Sequence, residues 1–288
     1  MFVRCPVLVG RRAQTDRFDA LLQGAGRRRG GAVFVSGEAG IGKSRLVREF
    51  ASTARASGLV DLAGRAVATG VPIPLRPFIE VALSVTRRGL LPERSALGPF
   101  APSLGRVLPS WATERPVHDE ATSAPVLGEA LHSFFRLVAP DGCLLVLEDL
   151  HWADPESLAV VEYLCDHVED SALVVVATLR TGEGPAAWAM ADALVARGNA
   201  ENMALARLDE DEVAAMVRAC APGVPPPGVD RAEGVPLFVE EMLGCGDAGE
   251  LPRTVIESVR HRVALLDQRS RRVVAAAALP RRRVFEDR

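Results

Sequence analysis

The fold of this chain is constrained most by one eight-residue stretch, Gly37-Glu38-Ala39-Gly40-Ile41-Gly42-Lys43-Ser44. It matches the pattern G-x-x-x-x-G-K-[ST] at every fixed position. Residues 32–36, which are β-branched, aromatic or small, predict a buried strand before it. After it, apolar side chains recur with helical spacing at Val47, Phe50, Ala51 and Ala54. The stretch is therefore predicted to be a glycine-rich loop between a strand and a helix.

Such a loop is suited to binding phosphate. Glycines let the backbone curl so that successive N–H groups point at one anion, and the following helix N-terminus adds partial positive charge. Lys43 would reach the β- and γ-phosphates of ATP, and the Ser44 hydroxyl would bind Mg²⁺. Among the 34 Lys and Arg residues of the chain, Lys43 is the single lysine. We predict an ATP/ADP and Mg²⁺ site formed by Gly37, Glu38, Ala39, Gly40, Ile41, Gly42, Lys43, Ser44 and Arg45.

A second strand is predicted to supply acidic groups. Residues 143–147 are uninterruptedly apolar, as in a strand buried on both faces of a parallel sheet, and Glu148 and Asp149 follow them. Carboxylates at the C-terminal edge of such a strand lie in the crevice where open α/β sheets bind ligands. There they can hold Mg²⁺ and orient an attacking water. We therefore predict Ser44, Glu148 and Asp149 on the metal side of the site.

Arg180 ends a third apolar run, residues 175–179. Arginine is rarely stable in such a place unless it meets an anion. We predict that Arg180 approaches the γ-phosphate and completes a catalytic set with Lys43, Glu148 and Asp149. A salt bridge between Arg180 and a neighbouring carboxylate is the alternative.

Some notable residues have a simpler interpretation. Asp154, followed by Pro155, has the pattern of a helix N-cap rather than of a catalytic group. Asp209 and Glu212 have the spacing of a capping box. His151, which follows the predicted metal-side carboxylates, either packs or contacts phosphate.

Several segments resemble one family. Residues 147–154, LEDLHWAD, resemble the extended Walker B segment of STAND-type ATPases, and more narrowly that of the ATPase module of large LuxR-type bacterial transcriptional regulators. Residues 8–11 resemble the segment that helps to enclose the adenine in this family, which implies that Gly10 and Arg11 bind nucleotide. Residues 175–180 resemble its sensor-1 strand. Residues 234–241 resemble the GxP segment of its helical lid, which implies that Pro236 packs near the base.

Two positions depart from the family pattern. Glu148 stands where many relatives carry the aspartate directed at Mg²⁺, so either Glu148 or Asp149 could be the main metal-side carboxylate. Arg12 stands where relatives usually carry an acidic residue. The nucleotide-binding role of position 12 is therefore left open.

The resemblance and the patterns together predict the architecture. We expect a three-layer α/β P-loop fold with a mainly parallel sheet, followed by a small helical lid. The core would span residues 1–220, with a proline-rich irregular insertion at about 91–125. A proline-rich linker would occupy 221–228, and residues 229–288 would form the lid and the start of a truncated winged-helix region.

Composition excludes some classes of protein. With a net charge of −3 and no apolar run of membrane-spanning length, nothing directs the chain to nucleic acid or lipid. The cysteines are scattered, which favours reduced thiols in a cytoplasmic protein. The arginine clusters, at residues 27–29, 271–272 and 281–283, are interpreted as solvated surface.

The predicted function is ATP binding with slow hydrolysis, acting as a conformational switch. By resemblance, a protein or inducer partner would act through C-terminal domains that follow the lid in this family, and ATP-dependent oligomers are possible. One alternative is an origin-recognition-like or chaperone-like AAA ATPase that oligomerises. Another is a non-catalytic scaffold that holds ADP.

Overall fold

A computed structural model of the chain describes residues 4–68, 73–112, 123–221, 229–244 and 267–277, together with residues 256, 260 and 263. The chain forms two compact units, one of Leu8–Arg207 and one of Met1–Val7 with Leu208–Arg288. Within the described ranges, no helix combines the length and the apolar character needed to cross a bilayer.

The first unit is built on a five-stranded sheet of β1 (Gly31–Gly37), β2 (Val60–Arg65), β3 (Cys143–Glu148), β4 (Leu173–Arg180) and β5 (Glu201–Ala204). Every pairing is parallel, and the spatial order is β2-β3-β4-β1-β5. Parallel neighbours need crossover connections, which place helices on the faces of the sheet. The strands β1, β4 and β3 therefore end side by side at one edge.

Helices cover both faces of this sheet, with bounds α1 (Arg12–Ala25), α2 (Lys43–Ala56), α3 (Arg76–Arg87), α4 (Ala124–Val138), α5 (Pro155–Asp166) and α6 (Pro185–Ala196). Side chains of a strand alternate between its faces. Accordingly, Val33 and Val35 pack with α1 and α2, whereas Phe34 packs in the larger core on the other face. This confirms the predicted three-layer α/β fold with a parallel sheet, and it explains why the strands are continuously apolar.

The predicted irregular insertion differs from expectation in its described part. Three short 3₁₀ helices form there, Arg94–Phe100, Ser103–Arg106 and Pro109–Trp111. Their apolar side chains, including Leu97, Leu104 and Trp111, are buried in the larger core. The prolines break regular helix, but the apolar residues between them pack, so this part is core structure rather than a loose loop. Residues 113–122 lie outside the described residues.

The second unit is helical in its described residues, with α7 (Glu210–Cys220), a 3₁₀ turn Val229–Ala232, α8 (Pro236–Gly244) and α9 (Gln268–Ala277). The capping box that starts α7 is present, with Asp209 and Glu212 bonded reciprocally. The division of the chain falls before α7, not near residue 220, because α7 packs with α8 and the Leu208 amide donates to the Gly234 carbonyl at 2.8 Å. The predicted linker lies outside the described residues except for Ala221.

Candidate nucleotide-binding site

The glycine-rich loop connects β1 to α2 at the edge where the strands end. Gly40 and Gly42 have φ angles of 78° and 104°, values that side chains disfavour. Gly42 is the N-cap of α2, so the loop turns directly into the first helical turn. The side chain of Ile41 is buried and anchors the loop to the core around α1 and α2. The loop is therefore preformed, with its backbone arranged at a helix N-terminus.

Lys43 folds back over this loop. Its Nζ donates to the carbonyl oxygens of Gly37 at 2.7 Å and Glu38 at 2.9 Å, and the residue is only 8% exposed. Burial, and then the positive charge of Arg180, lower the pKa of Lys43 to about 8. A buried ammonium held by neutral carbonyls would gain from a nearby anion, and phosphate is such an anion.

The Ser44 hydroxyl meets the carboxylate of Glu148. The two oxygens are 2.7 Å apart, one from the first turn of α2 and one from the end of β3. Two adjacent hard oxygens fit Mg²⁺, which usually takes one or two protein groups and completes its shell with phosphate and water. In the described part of the chain, no cluster of three His, Cys, Asp or Glu side chains forms a closed metal site.

Asp149 points to a different partner. Its carboxylate accepts from Arg65 Nη2 at 2.6 Å and Nε at 2.8 Å, and its amide donates to Thr178 Oγ1 at 2.8 Å. Its φ of 59° turns the chain at the end of β3, so that adjacent carboxylates diverge. The alternatives left open by the sequence thus have distinct positions, with Glu148 at Ser44 and Asp149 at Arg65.

Arg180 ends β4 and is opposite Gly37 in the strand register. Its Nη1 is 3.1 Å from Glu183 Oε1, which is the salt bridge that the sequence left as the alternative. The side chains are 32% and 12% exposed, so the pair is partly shielded from water. Arg180 therefore lies beside the loop with its charge engaged by a carboxylate.

Arg11 is buried, at 6% exposure, and its side chain contacts the backbone of the loop. Its Nη2 donates to the Ile41 carbonyl at 3.2 Å and to the Ala206 carbonyl at 2.8 Å. Gly10, with a φ of 69°, turns the chain immediately before it. In this structure the Arg11 side chain supports the shape of the loop by bonding the loop backbone.

The match to known proteins comes from sequence and from structure. A family profile described as AAA ATPase domain matches residues 7–176. The chain belongs to this family. An uncharacterized protein of Rhizobium meliloti (strain 1021) is 26% identical over 265 residues, which cover 82% of this chain and 24% of that protein. The present chain thus spans 24% of that relative's length.

Among solved structures, this AAA ATPase domain is similar to a signal transduction ATPase with numerous domains (STAND) that has a tetratricopeptide repeat sensor, from Pyrococcus horikoshii. Identity is 16% and the TM-score 0.49, over 92% of this chain and 33% of that one. The ORC2 protein of Aeropyrum pernix has 13% identity and a TM-score of 0.49, over 91% of this chain and 72% of that one.

The first unit of this AAA ATPase domain brings together most of the predicted site. Residues 37–45, which form the loop and the first turn of α2, lie at one edge of the sheet with Glu148, Asp149 and Arg180, and Arg11 bonds the loop backbone. Ala39 lies in the loop and Arg45 in the first turn of α2, and both are half-buried. Pro236 belongs to the second unit, where it is the first residue of α8. Its predicted place near the base stays a prediction.

The turn that follows β3 has a structural role in this domain. Asp154 caps α5 by accepting from the Ser157 amide at 3.0 Å, and it also accepts from the Leu75 amide at 3.1 Å. The His151 side chain is fully buried, and burial lowers its pKa, so the ring is neutral at pH 7. Trp152 is 44% exposed beside it. The cap interpretation of Asp154 is confirmed by this geometry.

Three residues of the site escaped sequence reasoning: Arg65, Glu183 and Arg207. Arg65 ends β2, the neighbour of β3, so a strand-order prediction would have placed it beside Asp149. Glu183 lies three residues after Arg180, close enough to pair with it across a turn. Arg207 pairs with Glu38 at 2.6 Å from a position far along the chain, and no local pattern indicates it.

Proposed function

We propose that this chain binds Mg·ATP at the loop of residues 37–44 and works as a slow, nucleotide-dependent switch. The observation that carries the proposal is the convergence of Lys43, Ser44 and Glu148 at one helix N-terminus. This arrangement offers an ammonium and backbone N–H groups for phosphate, and a hydroxyl with a carboxylate for the metal.

Each site residue has a role under this proposal. Lys43 would leave the carbonyls of its own loop and bind the β- and γ-phosphates. Ser44 and Glu148 would hold Mg²⁺, which supplies positive charge to the phosphate oxygens. Asp149 would position a water for attack once its carboxylate is free of Arg65. Arg180 would bind the γ-phosphate.

Residues 205–207, which end the first unit, contact the phosphate-binding loop and its neighbours, and these contacts support coupling between the loop and the end of this unit. The Leu205 amide donates to the Ser36 carbonyl at 2.8 Å, directly before the loop. Arg11 bonds both the loop and the Ala206 carbonyl. Arg207, the last residue of this unit, pairs with Glu38 inside the loop. A shift of the loop on nucleotide binding would therefore reach Arg207, the last residue of the first unit.

The ion pair between Asp149 and Arg65 supports slow turnover. Asp149 is held by two nitrogens of Arg65, so its water-orienting role competes with an ion pair. The same contact favours a second candidate function, a scaffold that binds ADP without hydrolysing ATP. Release of phosphate separates the two candidates.

We further propose that the chain is the ATPase part of a cytoplasmic LuxR-type regulator. This rests on the LEDLHWAD and GxP segments, residues 147–154 and 234–241. A protein or inducer partner, and ATP-dependent oligomers, are part of the same proposal.

The test is binding and turnover of Mg·ATP and Mg·ADP by the purified chain, beside Lys43→Ala. We expect dissociation constants in the micromolar range, about −8 kcal/mol, and turnover well below roughly 1 per second. Lys43→Ala should weaken both. Arg48→Ala is a matched control, because Arg48 is an exposed cation on the same helix whose guanidinium bonds only the Ser44 carbonyl among the contacts described.

The outcomes are separable. Lys43-dependent binding with slow phosphate release supports the switch. Lys43-dependent binding with no phosphate release at high protein concentration favours the scaffold. Folded wild-type protein that binds neither nucleotide overturns the proposal.

A further inference from the structure

The strongest unassigned feature is the carboxylate that holds Arg180. Glu183 is 12% exposed, and its Oε1 is 3.1 Å from the guanidinium. Arg180 is opposite Gly37, the first residue of the phosphate-binding loop, and its charge is felt at Lys43, where it contributes to the lowered pKa. The Arg180–Glu183 pair is thus within electrostatic reach of the position that the phosphates would occupy.

The turn that carries Glu183 is fixed on both sides. The Thr181 amide donates to the Gly37 carbonyl at 3.2 Å, and the Glu183 amide donates to the Arg180 carbonyl at 3.3 Å. Gly184, with a φ of 66°, lies so close to His151 that an added Cβ would be 2.6 Å from the His151 Cα and carbonyl oxygen. The backbone that carries Glu183 is therefore held against the phosphate-binding loop on one side and packed against His151 on the other.

His151 closes the far side of this carboxylate. Its Nε2 is 3.7 Å from Glu183 Oε2, its side chain is fully buried, and Gly184 of the turn after β4 packs against it. The second oxygen of Glu183 is also buried, so the charge of this carboxylate is little screened by water.

We propose that Glu183 sets how strongly this site prefers ATP to ADP, by competing with the γ-phosphate for Arg180. The inference rests on the proposed nucleotide binding. ADP lacks the γ-phosphate, so its binding leaves the Arg180–Glu183 pair intact. ATP must draw the Arg180 guanidinium away from the partly shielded Glu183 carboxylate. Loss of that ion pair offsets part of the affinity that the γ-phosphate adds over ADP. Glu183 is thus a specificity-determining residue that acts through Arg180.

The experiment is calorimetric binding of Mg·ADP and of a slowly hydrolysed Mg·ATP analogue to wild type, Glu183→Gln, Arg180→Ala and the double variant. Glu183→Gln keeps the shape of the side chain and removes the charge. We expect it to raise the ratio of analogue affinity to ADP affinity about fivefold, the factor that ~1 kcal/mol represents. Arg180→Ala should lower that ratio. In the Arg180→Ala background, Glu183→Gln should leave it unchanged.

A matched control is Glu162→Gln, which breaks a similar 2.9 Å Arg–Glu pair, with Arg197, on the surface between α5 and α6. It should not alter the ratio. If Glu183→Gln does not fold, Glu183→Asp, which keeps the charge but shortens its reach, should raise the ratio by a smaller factor.

Two results would overturn the inference while leaving the proposed function intact. One is an unchanged affinity ratio in Glu183→Gln with normal ADP binding. The other is an equal change of the ratio with and without Arg180, which would mean that Glu183 acts on the nucleotide directly. Wild-type protein that binds no nucleotide through Lys43 contradicts the proposed function, and the inference falls with it.

Discussion

Lys43 should make the stability of the nucleotide-free protein depend on pH in an unusual direction. Its ammonium is buried against two neutral carbonyl oxygens, and burial lowers its pKa from 10.5 to about 8. Below pH 8 the native and unfolded states both carry the proton, and the native state bears the cost of a buried charge. Above pH 8 the native state loses the proton first, so the unfolded state binds more protons and stability rises with pH.

The size of this effect follows from the two pKa values. Between pH 7 and pH 9.5, a group with a pKa of about 8 in the native state and 10.5 in the unfolded state contributes up to about 2 kcal/mol of stability. Because Lys43 is the single lysine of the chain, Lys43→Met removes this titration and leaves every other titratable side chain in place. The difference in free energy of unfolding, wild type minus Lys43→Met, should therefore increase by up to about 2 kcal/mol over that range.

The assay is urea unfolding of both proteins without nucleotide, at intervals from pH 7 to pH 9.5. Saturating Mg·ADP should flatten the wild-type rise, since a nearby phosphate favours the charged ammonium and raises its pKa. In Lys43→Met, ADP should leave the slope of unfolding free energy against pH unchanged, because the titrating amine is absent. A wild-type minus variant difference that stays constant within about 0.5 kcal/mol from pH 7 to 9.5, close to the error of such fits, would refute the reasoning.

Further predictions concern the turns around the site. Gly184→Ala should lower the free energy of unfolding by about 2 kcal/mol more than Gly198→Ala, measured by urea unfolding. Both glycines have positive φ, 66° and 79°, but a Cβ at Gly184 would meet the His151 backbone at 2.6 Å, whereas nothing lies within 4 Å of one at Gly198; equal losses would contradict the assigned contact. Asp154→Ala should cost about 1–3 kcal/mol, because it removes the cap of α5 and the partner of the Leu75 amide. A thermal midpoint unchanged from wild type would show that neither bond contributes.

The sequence predicted the fold where local pattern and packing agree. The glycine motif fixes a strand before it and a helix after it, and the apolar run at residues 143–147 has no stable place except the middle of a covered sheet. The helix caps at Asp154 and Asp209 were predictable because capping depends on residues only three apart. The packed 3₁₀ helices of residues 94–111 were missed, since prolines mark breaks in structure but do not tell whether the residues between them are buried.

The contacts of the site were less predictable because they depend on which strands are neighbours. Glu148 and Asp149 are adjacent in sequence and equivalent by pattern, and only the backbone turn at Asp149, with its φ of 59°, directs them to different partners. Arg65 could be assigned to Asp149 only once β2 was known to lie beside β3. The sequence likewise could not show that Arg180 contacts Glu183, because a sequence pattern does not give the distance between two side chains.

Three side chains that would bind nucleotide or metal under this proposal already have partners within the chain. Lys43 bonds its own loop, Ser44 bonds Glu148, and Arg180 bonds Glu183. Binding of Mg·ATP would therefore be an exchange of partners, and its free energy is the difference between two nearly satisfied sets of contacts. To shift a two-state equilibrium from 1:99 to 99:1, ATP would have to favour one state by about 5.5 kcal/mol. It follows that removing the charge of Glu183, which binds neither nucleotide nor metal under this proposal, should tune the switch without abolishing binding, whereas loss of Lys43 or Glu148 should abolish or weaken it.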